Sequence, residues 1–247
     1  MRIFITGDTH RDIDINKLTT KRWPEQKSLT KDDILFIAGD FGLPWSEHES
    51  NIDKYWLKWH NNKNYTTVFI DGNHENFNSY KNYPIVNFYG AKCHKIRDSI
   101  YHVIRGEIMN INGKSILFMG GAESTDKIYR KPNISWWKEE IPNDAEFEKF
   151  HKQISKQPDI IITHDAPASI VSMIPNMRYN EPSIVAKEFQ RALWNIYTNK
   201  QKDPYWFFGH YHIDEIFNEK FYAVFNNIYE IKTNNSIEIS ACKHKQA

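Results

Sequence analysis

The sequence has few cysteines and no surplus of charge of either sign. Cys93 and Cys242 are its two cysteines, they stand far apart, and neither belongs to a C-x-x-C pair. This excludes a scaffold held by many disulfides, and we expect two reduced thiols, with a single disulfide as the alternative. The 32 basic and 31 acidic side chains nearly cancel. That balance removes the usual electrostatic basis for binding long nucleic acid or a membrane surface.

Long apolar runs, internal repeats and low-complexity tracts are also missing. No run approaches the length of a membrane span, and Asp8 comes too early for a signal peptide. We therefore expect a cytoplasmic protein without a membrane partner. Hydrophobic residues are 40% and charged residues 26% of the chain, which is typical of a globular protein. With no linker-like stretch, 247 residues predict a single domain over 1–247.

Five short runs rich in Ile, Val and Phe end abruptly in polar residues or glycine. They are Ile3–Thr6, Ile34–Ala38, Thr67–Ile70, Asp159–Thr163 and Tyr205–Phe208. Runs without polar alternation predict strands that are covered on both faces, as in a parallel sheet flanked by helices. Asp8 and Asp40 are 32 residues apart, which is the length of a βαβ unit.

Helices are predicted between and after these strands. A capping box at Ser46 and Glu49 predicts one helix, with its buried face formed by Ile52, Tyr55, Trp56 and Trp59. Two more are predicted from Asp144 to Lys156 and from near Pro182.

The middle and the C-terminal part read as antiparallel strands. The segments are Tyr101–Ile111, Ser115–Met119, Ile216–Phe225 and Tyr229–Ile239, with hairpins predicted at Asn112-Gly113 and Asn226-Asn227. A parallel half and an antiparallel half indicate an α/β protein in which two sheets share a core.

Asp, Asn or His follows each of the five runs. The segments are Gly7-Asp8-Thr9-His10, Gly39-Asp40, Gly72-Asn73-His74-Glu75, His164-Asp165 and Gly209-His210-Tyr211-His212. Open α/β sheets bind ligands at the carboxyl ends of their strands. A structural role gives no reason for five such segments to converge, so they predict a metal site.

This ordered set resembles the calcineurin-like metallophosphoesterase superfamily, over most of the chain from Asp8 to His212. The resemblance implies a four-layer α/β/β/α sandwich with two mixed sheets and a dinuclear metal site at the strand ends. It also implies a ligand set, in which Asp8, His10 and His212 hold one metal, Asn73, His164 and His210 hold the other, and Asp40 bridges both. His74 would be the general acid.

Chemistry agrees with that assignment. Two divalent ions exceed the charge of two carboxylates and a bridging hydroxide, and the remaining positive charge attracts a phosphate ester. Imidazole and carboxylate ligands without thiolate suit manganese, iron, zinc, cobalt or nickel better than magnesium or calcium. We expect two such ions, manganese first.

The second motif departs from one branch of the superfamily. Ser/Thr protein phosphatases continue it as Gly-Asp-x-x-Asp-Arg-Gly, with an arginine that grips the phosphate, whereas this chain continues from Asp40 with Phe41-Gly42-Leu43-Pro44-Trp45. The missing arginine favours a phosphodiester or small phosphorylated substrate. The alternatives are a protein-phosphatase-like monoesterase and a non-catalytic scaffold.

Substrate contacts are expected from loops near the metals. Lys127 and Arg130, in the segment from Gly120 to Arg130, and Arg11 beside His10 are candidates for binding phosphate. Trp136 or Trp137 is a candidate platform for a base, which would suit a nucleotide substrate. The alternative is that the tryptophans belong to the core and the charges to the solvated surface.

Overall fold

The computed structural model of the chain describes residues 1–177, 181–234 and 236–242. In chain order the strands are β1 (Ile3–Thr6), β2 (Ile34–Ile37), β3 (Thr66–Phe69), β4 (Ile85–Phe88), β5 (Ala91–Arg97), β6 (Ile100–Val103), β7 (Glu107–Ile111), β8 (Lys114–Met119), β9 (Ile160–Thr163), β10 (Tyr205–Phe208), β11 (Glu215–Phe217), β12 (Phe221–Ala223), β13 (Tyr229–Lys232) and β14 (Glu238–Ala241). The α-helices are α1 (Asn51–Asn61), α2 (Asp144–Ile154), α3 (Ala168–Val171) and α4 (Ile184–Thr198).

The strands form two mixed sheets. The first has the order β14-β13-β1-β2-β3-β6-β5-β4, with β1, β2, β3 and β6 parallel. The second has the order β11-β12-β10-β9-β8-β7, with β12, β10, β9 and β8 parallel. In both sheets the parallel strands are central and the antiparallel pairs lie at the edges.

Alternate residues of the central strands pack on opposite faces. Ile3 and Ile5 of β1 belong to a core between the sheets, whereas Phe4 packs in a second core that includes Leu57 of α1. A third core joins the outer face of the second sheet to α2 and α4. The expected four-layer α/β/β/α sandwich is confirmed, and strands covered on both faces explain the apolar runs.

The βαβ spacing of Asp8 and Asp40 predicts a helix between β1 and β2, and this prediction is wrong. The connection from β1 to β2 contains two 3-10 turns, Ile15–Leu18 and Pro24–Ser28, and no α-helix. Pro24 stands at the first position of the second turn, where a missing backbone N–H is tolerated, but a helix cannot run through it from the residues before.

The first helix begins later than its predicted capping box. The cap is formed by Ser50 and Asp53, and the buried residues are Asp53, Leu57 and His60. Ile52 and Tyr55 of the predicted face are exposed, whereas Trp56 and Trp59 are half-buried and pack against the core. Asp53 explains the shift, because its buried carboxylate also accepts from the backbone N–H of Trp45 and so ties the preceding loop to the helix.

One of the predicted β-segments is divided between the sheets, and one predicted hairpin is wrong. Tyr101–Ile111 splits at Gly106, which has φ +70°, so β6 and β7 lie in different sheets. Asn226-Asn227 is not a hairpin either, since the chain crosses there from β12 to β13 in the other sheet. The Asp214 carboxylate holds this crossing by accepting three consecutive backbone N–H groups, those of residues 225, 226 and 227. The Asn112-Gly113 hairpin is confirmed.

Other predictions hold. Helices α2 and α4 bury the faces that carry Phe147, Phe150 and Ile154 and, in α4, Val185, Phe189 and Leu193. Cys93 and Cys242 are free and buried, so the single-disulfide alternative is wrong. None of the helices in the described ranges is long and apolar enough to cross a membrane.

Candidate metal centre

Five loops at the carboxyl ends of parallel strands meet at one edge of the sandwich. They follow β1, β2 and β3 of the first sheet and β9 and β10 of the second. Hydrogen bonds join the loops across the two sheets: the backbone N–H of His210 donates to Asp8 Oδ1 (3.0 Å), and His164 Nδ1 lies 2.8 Å from the carbonyl oxygen of Ala38. The convergence expected of the five motifs is therefore present.

The first group of donor atoms comprises Asp8, His10, Asp40 and His212. One ligand atom from each lies within 4.8 Å of the others. His10 Nε2 is 3.1 Å from Asp40 Oδ2, and its Nδ1 is 2.8 Å from Asp14 Oδ2. A carboxylate on the far nitrogen fixes the ring so that Nε2 faces the centre, an arrangement common around metal-ligating histidines.

The second group also lies next to Asp40. His164 Nε2 lies 3.3 Å from Asp40 Oδ2 and 3.2 Å from Asn73 Oδ1. The ring of His210 is 5.1 Å from that of His164, centroid to centroid. Asp40 Oδ2 is thus close to one histidine of each group.

Buried charge makes these donors suitable for cations. Asp8 and Asp40 are 0% and 1% exposed. Burial raises the pKa of Asp8 to about 6, and the neighbouring Asp40 charge adds to the rise. Burial acts in the same direction on Asp40, but His164 and His10 hold the pKa of that carboxyl well below its usual range. Two buried carboxylates among imidazoles, with oxygen and nitrogen donors and no thiolate, fit divalent transition metals.

The backbone of the motif loops has a left-handed conformation that residues other than glycine rarely adopt. Positive φ angles between +42° and +67° occur at Asp8, His10, Arg11, Asp40, His210 and His212. Each such residue costs on the order of 1 kcal/mol or more, and strain of this kind concentrates at functional sites. The fold therefore stabilises these loops in a shape that the residues would not adopt by themselves.

Two motif glycines make room for the carboxylates. A Cβ on Gly72 would lie 2.1 Å from Asp40 Oδ1, and one on Gly209 would lie 2.5 Å from Asp8 Oδ2. Any larger residue would displace the acids, so glycine is required by close approach.

His74 lies beside both groups. Its backbone N–H donates to Asp40 Oδ1 (2.7 Å), and its ring packs edge-to-face on that of His10 at 5.2 Å. Arg130 Nη2 is 2.8 Å from His74 Nδ1 and 3.0 Å from Nε2. Burial lowers the pKa of His74 to about 4, and the Arg130 charge adds to the fall while Asp40 opposes it.

The three candidate substrate contacts differ in position. Arg130 is largely buried against His74. Arg11 lines a cavity with His10 and His74, and its Nε pairs with Asp12 at 2.6 Å. Lys127 is more exposed and forms an ion pair with Glu123 at 2.8 Å rather than with a motif residue. The structure thus brings two of the three cations to the centre.

A comparison with protein families agrees with this geometry. The model of the calcineurin-like phosphoesterase family matches residues 1–214. The chain belongs to that family. Membership carries a general activity, metal-dependent hydrolysis of phosphoesters, and the candidate centre supplies a site for the metal. No curated protein matches the chain significantly.

One residue of this phosphoesterase that sequence reasoning missed is Lys17. The side chain is buried, and its Nζ donates to the carbonyl oxygens of Gly7, Asp8 and Phe225. The ring of Phe225 in turn stacks on His212 at 4.7 Å. Lys17 therefore braces two members of the first donor group, and no motif marks it in the sequence.

Glu75 braces the second motif. It is fully buried and accepts from the backbone N–H groups of Phe41 (2.8 Å) and Gly42 (3.3 Å) and from the hydroxyl of Tyr80 (2.8 Å). Its place next to His74 in the third motif was visible in the sequence, but its role was not. It ties the turn after Asp40 to the loop after β3.

The two tryptophans after Arg130 are more buried than a ring on which a base could stack. Trp137 is buried and packs edge-to-face on Trp45 at 5.6 Å, while Trp136 is half-buried. The core alternative holds for Trp137. Trp45, which the sequence pattern did not indicate, is the tryptophan that lines the cavity beside His10 and His74.

Proposed function

We propose that the chain hydrolyses a phosphodiester or another small phosphorylated substrate at a two-metal centre. The observation that carries the proposal is the buried Asp40 carboxylate, whose Oδ2 lies 3.1 Å from His10 and 3.3 Å from His164, one histidine of each donor group. Asp8, His10 and His212 would hold one ion, Asn73, His164 and His210 the other, and Asp40 both. When bound, the ions supply positive charge for the phosphate and lower the pKa of water, so that it attacks near neutral pH.

His74 is the candidate proton donor to the leaving oxygen. Its backbone is anchored to Asp40 and its ring packs on that of His10, so the ring would lie beside a phosphate bound at the centre without being needed as a ligand. Its pKa of about 4 in the free site reflects burial and the Arg130 charge. An anionic phosphate bound beside the ring favours the protonated imidazole, as the Asp40 carboxylate already does, whereas bound metal cations favour the neutral ring.

The charge near His74 favours a diester. No basic side chain follows Asp40 in the second motif. The next residues, Phe41, Gly42, Leu43 and Pro44, are uncharged and buried. Arg130 supplies a guanidinium, but its Nε bonds to Asp126 at 2.8 Å and its Nη2 contacts His74. A diester carries one negative charge and two terminal oxygens, which the metals alone neutralise, whereas an efficient monoesterase usually adds a cation for the third oxygen.

The position of Arg130 also supports a second candidate, a monoesterase. If the guanidinium turns from His74 to the third phosphoryl oxygen, it replaces the arginine missing after Asp40. The two candidates predict opposite substrate rankings.

The test compares kcat/KM on bis-p-nitrophenyl phosphate and p-nitrophenyl phosphate for manganese-loaded protein. We expect the diester to be preferred. A preference for the monoester that Arg130→Ala abolishes while the metals stay bound would establish the monoesterase instead. Lys127→Ala is the matched control, because it removes a cation from the same loop without touching His74. Protein that binds no metal and hydrolyses neither ester would be a scaffold.

A further inference from the structure

A cavity of about 240 Å³ adjoins the candidate centre. It is lined by His10, Arg11, Ile13, Gly42, Trp45 and His74. Two of these residues, His10 and His74, belong to the centre itself, and Ile13 is 71% exposed. The cavity therefore extends from the candidate centre toward solvent.

Trp45 is held in place without a ligand. Its backbone N–H donates to Asp53 (2.9 Å), and its carbonyl oxygen accepts from Asn76 Nδ2 (2.7 Å). Its ring meets Trp137 edge-to-face, with ring planes at 88°. A half-buried aromatic ring that already packs on Trp137, on a backbone held at both its N–H and its carbonyl oxygen, loses little entropy when a ligand stacks on it.

The size of the cavity limits what it accepts. It is smaller than the roughly 300–1,000 Å³ of pockets that enclose drug-sized ligands. One planar ring system fits, and a whole dinucleotide does not. The apolar surfaces of Trp45 and Ile13 suit such a ring better than a sugar or a charged head group.

We propose that this cavity binds a planar aromatic group, a nucleobase or an aryl ring, on the alcohol portion of the phosphate ester, by stacking on Trp45. The inference rests on the proposed function, because the cavity can bind part of the substrate only if the phosphate is bound at the adjoining centre. Base stacking on an aromatic side chain is worth about tenfold or more in affinity.

The experiment measures binding by isothermal titration calorimetry to zinc-loaded protein, using phosphonates that cannot be hydrolysed. Phenylphosphonate should bind about tenfold more tightly than methylphosphonate. Trp45→Ala should remove that preference and leave methylphosphonate binding unchanged, and Trp45→Phe should keep most of it. The phosphonate analogue of AMP distinguishes the two sources of the ring: tighter binding than phenylphosphonate indicates a nucleotide, and weaker binding indicates an aryl ester.

Trp194→Ala is the matched control, because Trp194 is 68% exposed on α4 and does not line the cavity. If Trp45→Ala does not fold, Ile13→Ser serves instead, since an exposed position tolerates the change, and it should lower phenylphosphonate affinity alone. Equal binding of the two simple phosphonates by the unmodified protein overturns the inference and leaves the proposed function standing. Binding of neither phosphonate by zinc-loaded protein also overturns the inference, whereas protein that takes up no divalent metal overturns the proposed function itself.

Discussion

Asp40→Asn changes the charge of the centre and little else. Asparagine has nearly the same shape, and its carbonyl oxygen still accepts from the backbone N–H of His74, which lies 2.7 Å from Oδ1. What disappears is the negative charge 3.1 Å from His10 Nε2 and 3.3 Å from His164 Nε2. The substitution therefore tests whether one carboxylate serves both donor groups.

The size of the effect follows from the distances. A unit charge 3.3 Å from Asp40 interacts with it by on the order of 5 kcal/mol at an effective dielectric constant of about 20. Burial lowers the pKa of His164 in the metal-free protein, yet Asp40 and Asp8 raise it to about 10. The same carboxylates raise the pKa of His10 to about 8 against the effect of burial. We expect both values to fall in Asp40→Asn, with His164 near or below its ordinary value.

Histidine titration by NMR on metal-free protein measures this fall, and elemental analysis after manganese loading measures the ions retained. Metal content should drop to about one ion or less, and activity should drop further than in His212→Ala, which removes one ligand of one group. A variant that keeps two ions and near-normal turnover would show that Asp40 does not bridge.

Three other substitutions probe separate parts of the account. His74→Ala should keep its metals and lose about 10²–10⁴ in rate on esters with alkyl or ribose leaving groups but little on p-nitrophenyl esters, because p-nitrophenol departs as an anion; equal losses on both would remove His74 from the acid role. Lys17→Met should reduce metal content and lower the free energy of unfolding by about 2–3 kcal/mol. The control Lys63→Met, which loses hydrogen bonds to Leu18 and Gln26 away from the centre, should lower stability without changing metal content. Unchanged metal content in Lys17→Met would show that Lys17 stabilises the fold alone. His60 is buried without a hydrogen-bond partner for either ring nitrogen among the described residues, and burial lowers its pKa to about 3. As pH falls, the unfolded chain therefore protonates His60 before the folded protein does, and the stability present above pH about 6.5 is lost toward pH 3. His60→Leu has no such loss, so its free energy of unfolding relative to that of the unmodified protein should be higher at pH 4 than at pH 8 by on the order of 3 kcal/mol. Urea unfolding at the two pH values measures this, and an equal difference at both would contradict a neutral buried His60.

The central strands could be predicted from the sequence because a strand that is buried on both faces is an unbroken run of apolar residues. Ile3–Thr6 and Tyr205–Phe208 are uninterrupted apolar runs, and both are strands over those same residues. The glycine and polar residue that follow four of the five runs could be read as well, since close approach at Gly72 and Gly209 demands glycine. These signals are local in the chain.

Contacts between distant segments produce no local sequence pattern, so they could not be predicted. Lys17 is one of many lysines in the sequence, and only the fold brings Phe225 to it. The helix α1 was predicted from its aromatic residues, yet it buries Asp53 and His60, because Asp53 ties down the loop that carries Trp45. Arg130 was a candidate among three cations, and only tertiary structure distinguishes it from Lys127.

The most direct test of a two-metal phosphoesterase is the rate of bis-p-nitrophenyl phosphate hydrolysis by metal-stripped protein as Mn²⁺ is added in steps. A two-metal centre predicts no hydrolysis without metal, a rise as ions bind, and a plateau at two ions per chain. Hydrolysis that persists in the stripped protein, a plateau at one ion, or no hydrolysis at any Mn²⁺ concentration would contradict it.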